Sequence, residues 1–138
     1  MPADLPNPSF AARRLPDKPD TIAPDGSEVR VLPALDGGSA AHFRLEPNMV
    51  SRAGRHRTVG EIWYILEGRG EMWRRDSVRE EVTSLAPGLC LTIPVGTSFQ
   101  FRAAGDTPLS MFAVTMPPWP GGSDDEWIEV APCWPVPA

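Results

Sequence analysis

Between Glu28 and Met116 the chain repeats one pattern: a short apolar or alternating run, a turn former such as Gly, Pro, Asp or Asn, then another run. The runs are "EVRVL", "AAHFRL", "EIWYIL", "GEMWRR", "EEVTSL", "LCLTI", "SFQFRA" and "LSMFAV". Each has strand length, and none carries the period of an amphipathic helix. Side chains in a strand alternate between its two faces, so closely spaced strands must hide their apolar faces against one another. The economical solution is an antiparallel sandwich or barrel, and an all-β fold is expected. The 17 Pro and 12 Gly fit such punctuation, at a level just short of the composition of a disordered chain.

A chain of 138 residues supports one sizeable core. Residues 1–27, rich in Pro and Asp, have no sustained period and are expected to form an extended arm without secondary structure, ordered only against the body. Residues 28–116 are the expected barrel, and residues 117–138 a tail in which Trp119, Trp127 and Trp134 stand among prolines and acids. Proline cannot donate to a ladder, so the tail is expected to pack over the surface or along an edge. Its indoles then either cover the exterior, line a dimer contact or close a ligand pocket.

Charge narrows the partners. Thirteen basic and eighteen acidic residues give a net charge of −5, and the short group Arg52, Arg55 and Arg57 is the only basic cluster near aromatics, which argues against nucleic acid. No apolar run is long enough to cross a bilayer, so no membrane partner is expected. The N-terminus lacks the apolar core of a signal peptide, and Cys90 and Cys133 offer at most one long-range bridge. A cytoplasmic protein with free thiols follows. Cys90, alternating with Leu91, is expected to pack as a small hydrophobe.

The strand "EIWYIL" carries Glu61, Trp63 and Ile65 on one face and Ile62, Tyr64 and Leu66 on the other. Both faces are apolar apart from Glu61, so the strand is expected to be buried on both sides, and together with the tail indoles it suggests a homodimer. A carboxylate in such a place must be paired, hydrogen-bonded or functional. Gly68 and Gly70 in "LEGRGEMW" supply the hairpin turn that follows. Farther on, Pro87-Gly88 and Pro94 to Gly96 are turns flanking the strand that begins at Cys90.

These spacings resemble the two motifs of the cupin superfamily, small double-stranded β-helix or jelly-roll barrels. Glu61 and Gly68 match the end of the first motif; Gly88, Pro94 and Gly96 match the second. The resemblance runs from about Glu28 to Met116 and implies the fold more strongly than any activity. It also implies four metal-ligand positions, of which this chain keeps at most His56 and Glu61. Gly54 stands at the first histidine position in one register, Arg55 and Arg57 occupy both histidine positions in the other, and Phe99 is at the last. Two ligands are too few for a catalytic metal centre. No cofactor is expected, or at most a weakly held divalent metal completed by His42, as a set of His42, His56 and Glu61.

Without a metal, His56 and Glu61 remain as an acid-base pair for isomerisation, cyclisation or elimination on a small apolar or aromatic substrate. Trp63, Phe99 and Phe101 would line an apolar cavity, and Arg57 would hold a substrate carboxylate. The alternatives are a non-enzymatic binding or sensing module, a metal-dependent oxygenase or isomerase, and a purely structural Glu61 paired with Arg55, Arg57 or Arg102.

Overall fold

The computed structural model describes residues 10–120 and 125–136. Eleven strands follow in order: β1 (Thr21–Ile22), β2 (Glu28–Leu35), β3 (Gly38–Leu45), β4 (Gly54–His56), β5 (Gly60–Glu67), β6 (Arg69–Arg75), β7 (Glu80–Leu85), β8 (Cys90–Ile93), β9 (Ser98–Ala104), β10 (Leu109–Met116) and β11 (Trp127–Glu129). All eight runs anticipated from the sequence are strands, and among the described residues there is no helix, hence none long and apolar enough to cross a membrane. The additional strands β1, β4 and β11 are two or three residues long. They have no alternation of their own and exist because neighbouring strands offer unpaired backbone groups.

The strands form two antiparallel sheets, one in the order β1-β2-β3-β10-β5-β8 and the other β11-β4-β9-β6-β7. Their inner faces close over a core that includes Phe43, Trp63, Ile65, Met72, Phe99, Phe101 and Met111. At its centre Phe101 meets Trp63 edge-on, with ring centroids 5.0 Å apart, a favoured aromatic geometry. Gly68 turns β5 into β6 with φ +84, and a Cβ there would lie 2.2 Å from the Pro108 carbonyl oxygen. That position demands glycine on both counts.

The six-stranded sheet corrects one expectation. Glu61, Trp63 and Ile65 are buried, whereas Ile62, Tyr64 and Leu66 are 39%, 46% and 46% exposed. Strand β5 is covered on one face only, because the second sheet packs against its inner side alone. Phe112 and Met116 add to the same apolar outer surface. Cys90, placed opposite Tyr64 across the β5–β8 ladder, is exposed rather than packed. Cys133 is likewise a free, exposed thiol.

Arm and tail are both tied to the barrel. Strand β1 pairs with β2, so the arm is not devoid of secondary structure, and Arg30 donates to the carbonyls of Pro16 and Asp17 at 2.9 and 2.8 Å. In the tail, the buried Gln100 amide donates to the Trp134 carbonyl and accepts from the Cys133 and Trp134 N–H groups. The Arg102 guanidinium lies 4.2 Å above the Trp134 ring. The parts of arm and tail at residues 1–9, 121–124 and 137–138 lie outside the described residues.

Phe101, anticipated as a ligand contact, is fully buried in the core. Phe101→Ala is therefore expected to lower stability by about 3–5 kcal/mol, the usual cost of emptying an aromatic site. Denaturant unfolding followed by fluorescence measures it.

Candidate functional site

His56 ends β4 and Glu61 is the second residue of β5, so the short turn between the strands folds the two side chains toward each other inside the barrel mouth. The His56 Nε2 lies 3.0 Å from Glu61 Oε2, and the other Glu61 oxygen accepts the Trp63 indole N–H at 2.9 Å. On the opposite edge of the imidazole, Nδ1 lies 3.0 Å from Glu126 Oε2. Glu126 is itself held by the Thr58 hydroxyl at 2.6 Å and the backbone N–H groups of Thr58 and Val59 at 3.2 Å each. All three ionisable groups are buried.

A neutral imidazole has one N–H and can satisfy only one of these carboxylates; the imidazolium satisfies both. Burial pushes the His56 pKa down, but Glu61 and Glu126 together outweigh it and leave it above the ordinary value. For Glu126, burial acts upward and is overcome by the Thr58 hydrogen bonds and the His56 charge, which leave its carboxyl below the usual range. Asp25, contributed by the segment before β2, is also buried. Burial raises its pKa against the lowering effect of the Ser27 hydroxyl and N–H, which both bond Oδ1.

These groups surround a cavity lined by Asp25, His56, Glu61, Trp63, Trp119 and Trp127 among others, with a water-accessible volume of about 10 Å³. That is room for roughly one water. The Trp127 indole N–H is buried there without a partner. The ring itself occupies space that a side chain at position 54 would need: a Cβ on Gly54 would fall 2.1 Å from Trp127 Cζ2. Gly54 pairs with Phe99 across the β4–β9 ladder, and Phe99 meets Trp127 edge-on at 5.7 Å. The two positions lacking the ligands implied by the cupin resemblance are thus neighbours, and the tail indole fills the space beside them.

The structure brings His56, Glu61 and Trp63 together. Phe99 stacks on the imidazole at 6.1 Å and 26°, as part of the core, and Phe101 lies behind Trp63. Arg57 does not join them: it is exposed, and its guanidinium donates to the Asp125 carbonyl at 3.3 Å. Nor does an arginine neutralise Glu61, since Arg102 pairs with Glu71 and His56 takes that role. His42 is also elsewhere. Ala41, Phe43 and Leu45 turn into the core, so strand alternation sends His42 to the outer face, opposite Arg30 and Phe112. The set of His42, His56 and Glu61 is therefore not assembled.

The remaining donors do not fit a metal ion. Gly54 and Phe99 offer none, the two carboxylates lie on opposite edges of one imidazole, and among the described residues no group of three or more His, Cys, Asp or Glu is placed to hold a metal ion. Sequence reasoning missed Glu126, Thr58 and Asp25. The acid-rich "SDDEW" preceding β11 was the available signal for Glu126, but an acidic tail is ordinarily solvated.

The titrations carry opposite signs. His56, raised in the fold, stabilises fully below its unfolded pKa of about 6.5, and this is lost as pH rises through the folded value. Asp25, also raised, likewise disfavours the fold as pH rises. Glu126, lowered, stabilises above about 4.5, and this is lost as pH falls through its folded value. Stability measured by urea unfolding across pH should peak on the acidic side of neutrality, and Glu126→Gln should flatten the acid limb and lower the His56 pKa followed by NMR. Gly54→Ala should expel Trp127 and lower the melting temperature, with a red-shifted tryptophan emission.

No curated protein sequence matches the chain. Its fold is similar to that of an uncharacterized conserved protein with a double-stranded β-helix domain from Klebsiella pneumoniae, at 13% identity and a TM-score of 0.61 over 88% of this chain and 91% of that one. It is also similar to KdgF from Halomonas sp., at 16% identity and a TM-score of 0.58 over 66% and 78% of the two chains. A third similar structure is that of Streptomyces PAC13, solved as a variant with uridine, at 12% identity and a TM-score of 0.61 over 78% and 80%. At such identities the likeness establishes the double-stranded β-helix fold alone. The profile of the cupin domain matches residues 41–115, more than half of the 138 residues, and the chain belongs to the cupin family.

Proposed function

We propose that this cupin binds a small organic molecule at the barrel mouth and moves a proton on it without a metal, through His56 and Glu61. The observation that supports this most is the 3.0 Å contact between His56 Nε2 and Glu61 Oε2 in a buried, water-sized cavity. The imidazolium is a poised acid and the carboxylate a poised base, and Trp63 fixes the carboxylate by its indole N–H. Glu61 accepts a proton from a substrate carbon or hydroxyl while His56 Nε2 delivers one to a second substrate atom. Glu61 and His56 then hold a carboxylic acid and a neutral imidazole in contact, and proton transfer between them restores the starting pair. Such a cycle carries out an isomerisation, or an elimination in which the delivered proton leaves with the departing group. Glu126 stays hydrogen-bonded to Nδ1 and keeps the ring oriented through both states.

As described, the cavity is too small for an organic ring, so a substrate must take the place of Trp127 or Trp119. The similar barrel solved with uridine supports a small organic ligand of that general size. The exposed row Ile62, Tyr64, Leu66 and Phe112 is the face a homodimer would cover, which light scattering tests directly.

A second reading, ligand binding without turnover, is favoured by the same closed cavity and by the saturation of both imidazole nitrogens, which suit a structural clasp. Glu61→Gln separates the two. Catalysis predicts a loss of about 10²–10⁴-fold in turnover of a substrate identified by mass spectrometry of co-purifying molecules, with the fold intact. A clasp predicts unchanged ligand content with a lower melting temperature, because the imidazolium loses a counter-charge.

A further inference from the structure

The proton-transfer site leaves Arg55 without a role. His56 and Gly54 turn inward, so Arg55 turns outward from β4. Gly54 lies opposite Phe99, which places Arg55 opposite Ser98, and on the other side of β9 Ser98 lies opposite Arg75. Residues facing each other across antiparallel strands point to the same side. Arg55, Ser98 and Arg75 therefore form a row across three adjacent strands, two exposed guanidinium groups flanking one hydroxyl. With strands about 4.8 Å apart, the two arginine backbones stand roughly 10 Å from each other, a span that long side chains close onto a single bound group.

The row opens into a groove of about 660 Å³ walled by Trp73, the Pro94–Ser98 loop and the tail residues Val130 and Ala131. This volume lies within the range of about 300–1,000 Å³ usual for small-molecule sites. Asp76 is the acid on its rim, and its Oδ1 accepts from the N–H groups of Val78 and Arg79. Arginines elsewhere that meet a carboxylate pair with it, as Arg52 does with Glu129 and Arg102 with Glu71. Among the described residues Arg55 and Arg75 make no ion pair or side-chain hydrogen bond, in a chain whose net charge is −5. Two unpaired arginines in register on rigid strands are preorganised for an oxyanion, which the planar guanidinium fork recognises bidentately. A solvated surface pair would need neither the groove nor the register.

We propose that this groove is a second binding site, distinct from the cavity at His56, for a small organic oxyanion: a phosphate monoester or a carboxylate gripped between Arg55 and Arg75 above the Ser98 hydroxyl. Calorimetric titration at low ionic strength with inorganic phosphate and, separately, with acetate tests it on the intact chain. Saturable binding of at least one anion is expected, weakened at least tenfold, or about 1.4 kcal/mol, in Arg55→Gln and in the Arg55→Gln, Arg75→Gln double variant. Arg52→Gln, which removes an equal charge elsewhere on the surface, should bind as the parent does. Tighter binding of phosphate assigns the site to phosphate esters, and tighter binding of acetate to carboxylates. The proposal is overturned if neither anion binds saturably, if the folded variants bind as the parent does, or if Arg52→Gln loses as much as Arg55→Gln.

Discussion

His56 meets a carboxylate at each ring nitrogen, and much of the barrel mouth depends on that arrangement. The residues involved come from three places: His56 from β4, Glu61 from β5 and Glu126 from just before β11. A buried charge without partners is costly, so none of the three positions is tolerable alone. Together they form a charge-assisted chain in which each carboxylate has a second set of donors, Trp63 for Glu61 and the Thr58–Val59 turn for Glu126. The docking of β11 beside the short strand β4 follows from this clasp as well as from backbone pairing, in which Gly54–His56 face Trp127–Glu129.

The same docking explains the departures from the family's ligand pattern in steric terms. Trp127 enters the barrel mouth with β11 and needs the volume of a side chain at position 54, which only glycine concedes. Phe99 then supplies an apolar edge for the indole. Loss of donors at positions 54 and 99 and gain of the indole form one packing solution. The result is a small aromatic cavity around a histidine held between two carboxylates.

Burial also divides the arginines by role. Arg30 and Arg102 fasten the arm and tail to the sheets, whereas Arg52, Arg55 and Arg57, within six residues of one another, reach three different surroundings: Glu129, the open groove and the Asp125 carbonyl. A loop cluster in the sequence is not a cluster in space, because alternation along β4 and the turn after it send successive side chains in different directions.

The sequence by itself determined the eight main strands. Eight runs with period-two patterning and the turn residues between them specify strands wherever each segment has its own local signal, as "EIWYIL" and "SFQFRA" do. It also determined that His56, Glu61 and Trp63 would meet, since they sit within one turn and one strand of each other. What only the tertiary structure decided has no local signal. Which face of β5 is covered depends on the second sheet, not on the composition of β5, so Ile62, Tyr64 and Leu66 were misjudged. Glu126 reaches His56 from 70 positions away, and Asp25 enters from the arm. Contacts of that kind arise when separately specified strands close into a barrel, and a stretch of acidic tail carries no mark of the imidazole it will neutralise.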